Sequence, residues 1–510
     1  MLRIAYLICF IWPWFGFSNY PTHSFSSGLS AVLASLLLTL IVMWGVNAYR
    51  IFKNDFDFYK KVSLFLILAI QAVQLIVFLP GMISYDDLET LRALSVGQFA
   101  TQGSNLYTLL MQSSHLIFNS ALHLSYLNLI LFSFIVFLVF RMLPKKIPLW
   151  CLPALIILFS LPQSSALVLF QNRDSIFSLL LVWWSLGLFS QNHKAKSDPW
   201  FHLGSLSILT LCLGELRQEA KIFVFIFPIA FWWLNRNKSK FYAQVGLSLT
   251  IISLLLNWAP QYFSVSDAYS DRYLATTLIN PLSYILHVKG PQEASKSEKD
   301  EISRFFIFDK LIEYFSMYDI NPLHRGGIVP NPSPEDFAAF RRASLSILSR
   351  NLNLFFENRK LMALCMLNFE GRPATMNDSL PLAATAFQEP AYYFKFEAPT
   401  EEASILKASL GAFHYRLFFE MPYPLHLLVS SCLVPIIVFL LLLGLVRSHP
   451  ELTFIGLSQL LRLAILIILT PAAYFKYITS FWLLGWLVLI LYFAQSTGVS
   501  NKNGAKSSDF

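Results

Sequence analysis

Charge is what this sequence has least of. Asp, Glu, Lys and Arg make up 13% of its 510 residues, about half the share found in a soluble domain. Stretches such as 64–78 and 132–140 contain none at all. A helix that is apolar all round offers water no face, so an ordinary soluble fold is excluded and a buried or lipid-facing one is left.

Reactive motifs are missing too. There is no Walker loop, Rossmann glycine fingerprint, HExxH or GxSxG, so nothing points to P-loop nucleotide hydrolysis, dinucleotide redox chemistry, a zincin or a serine hydrolase. The ten histidines are scattered without ligand spacing, which gives no ground for a zinc site. Five cysteines (Cys9, Cys151, Cys212, Cys365 and Cys432) include no CxxC pair, and four fall in apolar segments, where a thiol behaves as a small hydrophobe. The net charge of +8 comes without a basic stripe interleaved with aromatics, so no nucleic-acid partner is expected. In a membrane chain such an excess marks the loop ends that fix orientation.

What is abundant is apolar: 55% of residues are hydrophobic and 47 are Phe. Crossing a bilayer takes about 20 mostly apolar residues. The expected fold is therefore all-α, a polytopic transmembrane helix bundle of about 12 spans with a helical external domain. The spans fall near 4–18, 27–49, 62–80, 124–142, 147–163, 174–190, 202–217, 220–235, 241–258, 426–446, 452–470 and 478–495. The first is expected to be a retained helix rather than a cleaved signal peptide with Arg3 as its basic region, because Gly16-Phe17-Ser18 is a poor cleavage site.

Placing the N-terminus in the cytoplasm puts Arg50, Lys53, Lys60, Lys61, Arg141, Lys145, Lys146, Lys194, Lys196, Arg236, Lys238, Lys240, Arg447, Lys502 and Lys506 on the cytoplasmic side. The short external connections keep only Arg92, Arg173, Arg217, Lys221 and Lys476. The positive-inside rule supports that orientation about threefold, with both termini cytoplasmic. The domains that follow are 1–61 (first spans and cytoplasmic loop), 62–259 (membrane core with a first external loop at 81–123), 260–425 (external helical domain), 426–497 (last spans) and 498–510 (cytoplasmic tail).

Several polar segments then share the external face. Leu79-Pro80-Gly81 breaks a helix as it leaves the bilayer, and Ser84, Asp86, Asp87 and Glu89 follow. A plain reading is a helix start, with Asp86 as its N-cap and the other acids at its positive end. Arg173-Asp174 and Arg217-Gln218-Glu219 sit at the ends of apolar stretches, where an interfacial cap or a tight ion-paired turn would explain them. Ionisable groups at membrane depth cost about 2.5–3.5 kcal/mol each, however, and usually face a cavity with a partner. Tyr474-Phe475-Lys476-Tyr477 also suits an interfacial anchor. In the large external segment, Ser297-Glu298-Lys299-Asp300 fits a capping box ahead of Ile302, Phe305, Phe306, Ile312 and Phe315 at helical spacing. Ser333-Pro334 opens a second helix expected to run to about Asn358.

An acidic motif on the first external loop, followed by many more spans, resembles the GT-C glycosyltransferases, which take a sugar from a polyprenyl-phosphate carrier. The closer similarity is to a bacterial branch whose first loop reads roughly Pro-Gly-x-x-Ser-x-Asp, matched by Pro80, Gly81, Ser84 and Asp86. Arg173-Asp174 is similar to its Lys-Asp, Arg217-x-Glu219-Ala220 to its Arg-x-Glu/Asn-Gly turn, and Tyr474–Tyr477 to its late aromatic-basic turn. The resemblance spans most of 62–495. Relatives place His-Pro soon after the first-loop acid, whereas this chain reads Gln102-Gly103-Ser104-Asn105-Leu106-Tyr107, which implies a different substrate or activity.

The resemblance implies a transferase of the bacterial inner membrane, inverting, with its active site on the external (periplasmic) face. Asp86 would be the general base, with Asp87 second. Arg217, helped by Arg173 and Lys476, would hold the donor phosphate. Glu89, Asp174, Glu219 and Tyr474 would support them. The partners would be a polyprenyl-phosphate-linked sugar, a glycan, lipid or protein acceptor, and membrane lipid. No cofactor is required, although a divalent cation would fit beside three acids. The rival readings are an O-antigen polymerase or ligase, which relies on arginine and histidine in late loops, and a polytopic transporter or assembly protein. Transporters of this size usually divide into two similar halves, whereas nine spans here precede the large domain and three follow. The topology is testable: a periplasm-active reporter inserted at residue 296 should be active, and one fused after Phe510 silent. The reverse pattern would invert the orientation.

Overall fold

The computed structural model describes residues 25–77, 82–84, 105–118, 123–144, 147–148, 150–190, 199–224, 268–316, 327–330, 332–369, 379–381, 421–446, 449–470 and 477–504, together with 13 and 409. Helices dominate. The first part of the chain forms α1 (Phe25–Asp55), α2 (Phe58–Val77), a short strand β1 (Met82–Ser84), α3 (Asn105–Phe118), α4 (His123–Met142), α5 (Cys151–Ser160), α6 (Pro162–Leu169), α7 (Arg173–Ser190) and α8 (Pro199–Leu216). A second set follows: α9 (Ala268–Lys289), α10 (Lys296–Ser303), α11 (Phe308–Glu313), α12 (Pro334–Arg350), α13 (Leu352–Met366) and β2 (Ser379–Pro381). The last set is α14 (Tyr423–Val429), α15 (Leu433–Leu443), α16 (Pro450–Leu469) and α17 (Thr479–Gly504).

Among the described residues, four helices (α1 from Ala31, α2, α4 and α16) are long and apolar enough to cross a membrane. The number rises to six if the bent pairs α5–α6 and α14–α15 each count as one span. Large apolar side chains such as Leu36, Leu40, Phe65, Ile76 and Leu441 point outward on these helices, a surface suited to lipid rather than water. The expected spans at 174–190, 202–217 and 478–495 coincide with α7, α8 and α17, which fall outside that set. The expected spans 4–18 and 241–258, and most of 220–235, lie outside the described residues.

α7 is the central post. Ile176 through Val182 are all buried, as are Trp184, Leu186 and Leu188, because α4, α6, α8, α16 and α17 pack around it. The helix is apolar all round for this reason. Its N-terminus is positioned by a break. The sequence reads as one span over 147–163, but Pro162 lacks the N–H a continuous helix needs, and Leu161 before it is extended (φ −65°, ψ 151°). The chain bends by 53° between α5 and α6.

Carbonyls freed at that break and at the end of α6 are met from neighbouring helices. Gln71 Nε2 donates to Phe159 O at 2.7 Å, Ser125 Oγ to Leu169 O at 3.3 Å, Asn128 Nδ2 to Phe170 O at 2.9 Å and Tyr107 OH to Gln171 O at 3.3 Å. Each would otherwise be a buried, unpaired polar group. The last helices are held as closely. A Cβ on Gly456 would sit 2.8 Å from Phe439 O, and one on Gly485 2.7 Å from Pro435 Cα. α15 can therefore press against both α16 and α17, the close approach that small residues permit in membrane helices.

The second set has its own apolar core, with Ile285, Phe305, Phe340 and Ile347 at its centre. The expected helix over 302–315 is interrupted: Phe306 forms an antiparallel bridge with Ile328, and Ile307 N donates to Gly327 O at 2.7 Å. The capping box begins two residues earlier than expected, at Ser295 with Glu298, and the helix expected to open at Ser333-Pro334 does so, with a capping box of its own between Ser333 and Asp336. The expected long helix from Pro334 stops at Arg350 and resumes at Leu352. α13 then ties the two cores together. Leu354 belongs to the second core, Cys365 and Met366 to the first, and Arg359 donates to Thr470 O at the end of α16 at 2.7 Å. β1 pairs antiparallel with β2, Ser84 opposite Ser379, which joins the first loop to the segment after α13.

Glu298 accepts from both terminal nitrogens of Arg350, at 2.7 and 2.9 Å. Arg350 foremost, with the backbone N–H of Ser295, holds the Glu298 carboxyl down to about 2. A carboxylate whose folded-state value lies below its unfolded value stabilises the fold above the unfolded value and loses that contribution as pH falls. Melting temperature in detergent should thus drop between about pH 4.5 and 2. Glu298→Gln should remove part of that slope and cost about 1 kcal/mol at pH 7. An unchanged pH profile would show that the pair contributes nothing.

Candidate functional site

The turn Phe170-Gln171-Asn172 delivers α7 with its polar start in place. Asn172 Oδ1 accepts from Ser175 N at 2.7 Å, an N-cap, and Asp174 lies in the first turn. At the end of α8 the chain passes through Arg217 into a single 3₁₀ turn, Gln218–Ala220. Glu219, two residues on, returns its carboxylate to within 3.6 Å of the Arg217 guanidinium. The other carboxylate on Arg217 is Asp174, directly ion-paired with it. All three side chains are nearly enclosed, with exposures of 7% for Arg217 and 11% for each acid. The Arg217 guanidinium also stacks on the Tyr477 ring, 4.7 Å from its centroid.

Tyr477 leads into α17, and its carbonyl accepts from Arg462 Nη2 at 2.5 Å. Arg462 lies within α16, 1% exposed. It donates to Ser480 Oγ at 3.2 Å and stacks over Phe177 of α7 at 4.8 Å. Beside the ion pair is a small cleft lined by Ala166, Leu167, Phe170, Asn172, Asp174, Ser175 and Thr479.

Three of the polar segments read from the sequence therefore meet at one point: Arg173-Asp174, Arg217–Glu219, and the late turn through its last residue, Tyr477. Arg173 is partly buried in the same first turn of α7. Asp86, Asp87, Glu89, Tyr474 and Lys476 lie outside the described residues, although Ser84 of the same loop is paired with Ser379. Among the described residues no group of three His, Cys, Asp or Glu side chains is arranged to hold a metal ion. Sequence reasoning missed Arg462 and the role of the Tyr477 ring. The signal was there, since an arginine between Leu461 and Leu463 is expensive inside a span and demands a partner.

No protein-family model, curated protein or solved structure matches the chain.

The buried pair yields a stability test. Asp174→Leu leaves Arg217 short of a carboxylate in a dry site and should cost about 3 kcal/mol, whereas Asp174→Leu with Arg217→Met replaces both charges and should recover most of it. Thermal unfolding of the two variants in micelles measures the difference. Equal losses would mean the pair is not coupled.

Proposed function

We propose that the chain is an integral membrane glycosyltransferase of the GT-C type, moving a sugar from a polyprenyl-phosphate donor to an envelope glycan, lipid or protein acceptor on the external face of a bacterial inner membrane. The observation that carries this reading is the convergence on Arg217 of charged groups from separate segments, beside a small cleft lined by both apolar and polar side chains. A guanidinium held in place in this way matches the phosphate of a lipid-linked sugar.

In the reaction the acceptor hydroxyl oxygen forms a bond to the anomeric carbon from the face opposite the leaving phosphate. The bond from that carbon to the phosphate oxygen breaks, and its electron pair stays on the phosphate. The hydroxyl proton goes to a carboxylate, Asp86 by its place in the motif, with Asp87 second. Arg217, with Arg173 and Lys476, binds the phosphate, whose oxygens match a guanidinium fork. Asp174 and Glu219 orient Arg217 and keep it ready rather than reacting themselves. A site of this kind works by fixed charges placed where charge develops, in surroundings that exclude water.

The test is the envelope glycan profile, by mass spectrometry, of a deletion strain complemented with wild type, Asp86→Asn or Arg217→Met. Wild type should restore a mass difference of one sugar. Each variant, at equal membrane level, should transfer at least about a hundredfold more slowly. Full restoration by Asp86→Asn would make that residue a helix cap only. A deletion that alters no glycan would overturn the transferase reading in favour of transport or assembly.

A further inference from the structure

Arg462 is a cation buried in the middle of an apolar helix, and its direct partners are a hydroxyl, a carbonyl and an aromatic ring. Among the described residues no carboxylate lies within ion-pair distance of it, in contrast to Arg217, which has two. Its Nε has no hydrogen-bond partner. Gln459, one turn earlier on the same face of α16, is 0% exposed, and neither of its side-chain polar atoms has a partner. Buried polar groups left in this condition are costly. Arg462 lies within electrostatic reach of Arg217, Asp174 and Glu219. Tyr477 links the two arginines, its ring against one and its carbonyl on the other. Thr479, next to Ser480 on the same turn, lines the cleft that also reaches Asp174.

We infer that Arg462 and Gln459 form a second anion-binding position beside Arg217, which takes up the charge that appears on the carrier phosphate as the sugar leaves. The inference rests on the proposed transfer reaction. The donor is a phosphodiester with one negative charge. Once the bond to the sugar breaks and the electron pair stays on oxygen, the carrier is a phosphate monoester, a dianion at neutral to slightly alkaline pH. Two acids already offset Arg217. Arg462 has no acid in direct contact and feels Asp174 and Glu219 only at longer range, so it keeps charge to offer to the extra negative charge of the transition state and product. An interaction of that kind lowers the barrier rather than tightening donor binding.

The experiment compares two probes on the purified full chain in micelles at pH 7.5: farnesyl phosphate, a monoester dianion, and farnesyl methyl phosphate, a diester monoanion. Wild type should prefer the monoester. Arg462→Met should weaken monoester binding about tenfold, the effect of one charge-assisted hydrogen bond, and leave the diester little changed. Arg462→Lys, which keeps the charge, should retain most of the preference, and Gln459→Leu should lower it while leaving every charge in place. These two variants carry the test if Arg462→Met does not fold. Arg462→Met that binds both probes like wild type, or loses both equally, overturns the inference. If Arg217→Met loses both probes while Arg462→Met loses neither, the donor reading stands and the inference falls. Wild type that binds neither probe defeats both.

Discussion

A buried guanidinium must be met by partners or abandoned, and Arg217 is met from three directions. Asp174 comes from the start of α7, Glu219 from the turn after α8, and the Tyr477 ring from the approach to α17. Each of these elements leaves the apolar interior at the same place. The cost of an unpaired buried charge, several kcal/mol even after relaxation, far exceeds the net stability of any one helix contact. The ends of three helices are thereby held in register by one side chain.

The rest of the bundle supports that point. α7 can begin where it does only because Pro162 ends α5 and turns the chain through α6. The break survives in an apolar setting because Gln71, Ser125, Asn128 and Tyr107 reach from three other helices to the carbonyls it exposes. Each of these residues donates to backbone, and Gln71 reaches the Ser165 hydroxyl as well. On the other flank, Gly456 and Gly485 let α15 wedge against α16 and α17, which carry Arg462 and Tyr477 toward α7. Irregular backbone inside an apolar bundle is tolerated where protein supplies its hydrogen bonds, and here it positions charged groups.

Much of this is legible in the sequence, and the residues show why. Long apolar runs place α2, α4 and α16 within a few residues, and the polar clusters at 173–174 and 217–219 stand out as misfits between apolar stretches. A shared face brings them near one another, but their pairing across 43 positions is a tertiary fact that no local pattern contains. The bend at Pro162 is visible as a proline yet reads as part of one span, since hydropathy averages over the break. The helix expected over 302–315 fails for a related reason: Phe306 finds backbone partners at 327–329, a distant segment that no local periodicity reveals. Arg462 escapes notice because α16 is so apolar that a single arginine scarcely alters its pattern, although its cost should mark it.

The central claim is that the Arg217 cluster holds the phosphate of a lipid carrier. Native mass spectrometry of the protein extracted from its own membrane in mild detergent tests it most directly. Wild type should retain a bound mass equal to an isoprenoid phosphate, with or without a sugar, and Arg217→Met should be stripped of it at equal folding. A wild-type protein that carries no such lipid, or an Arg217→Met variant that carries it equally well, would contradict the claim.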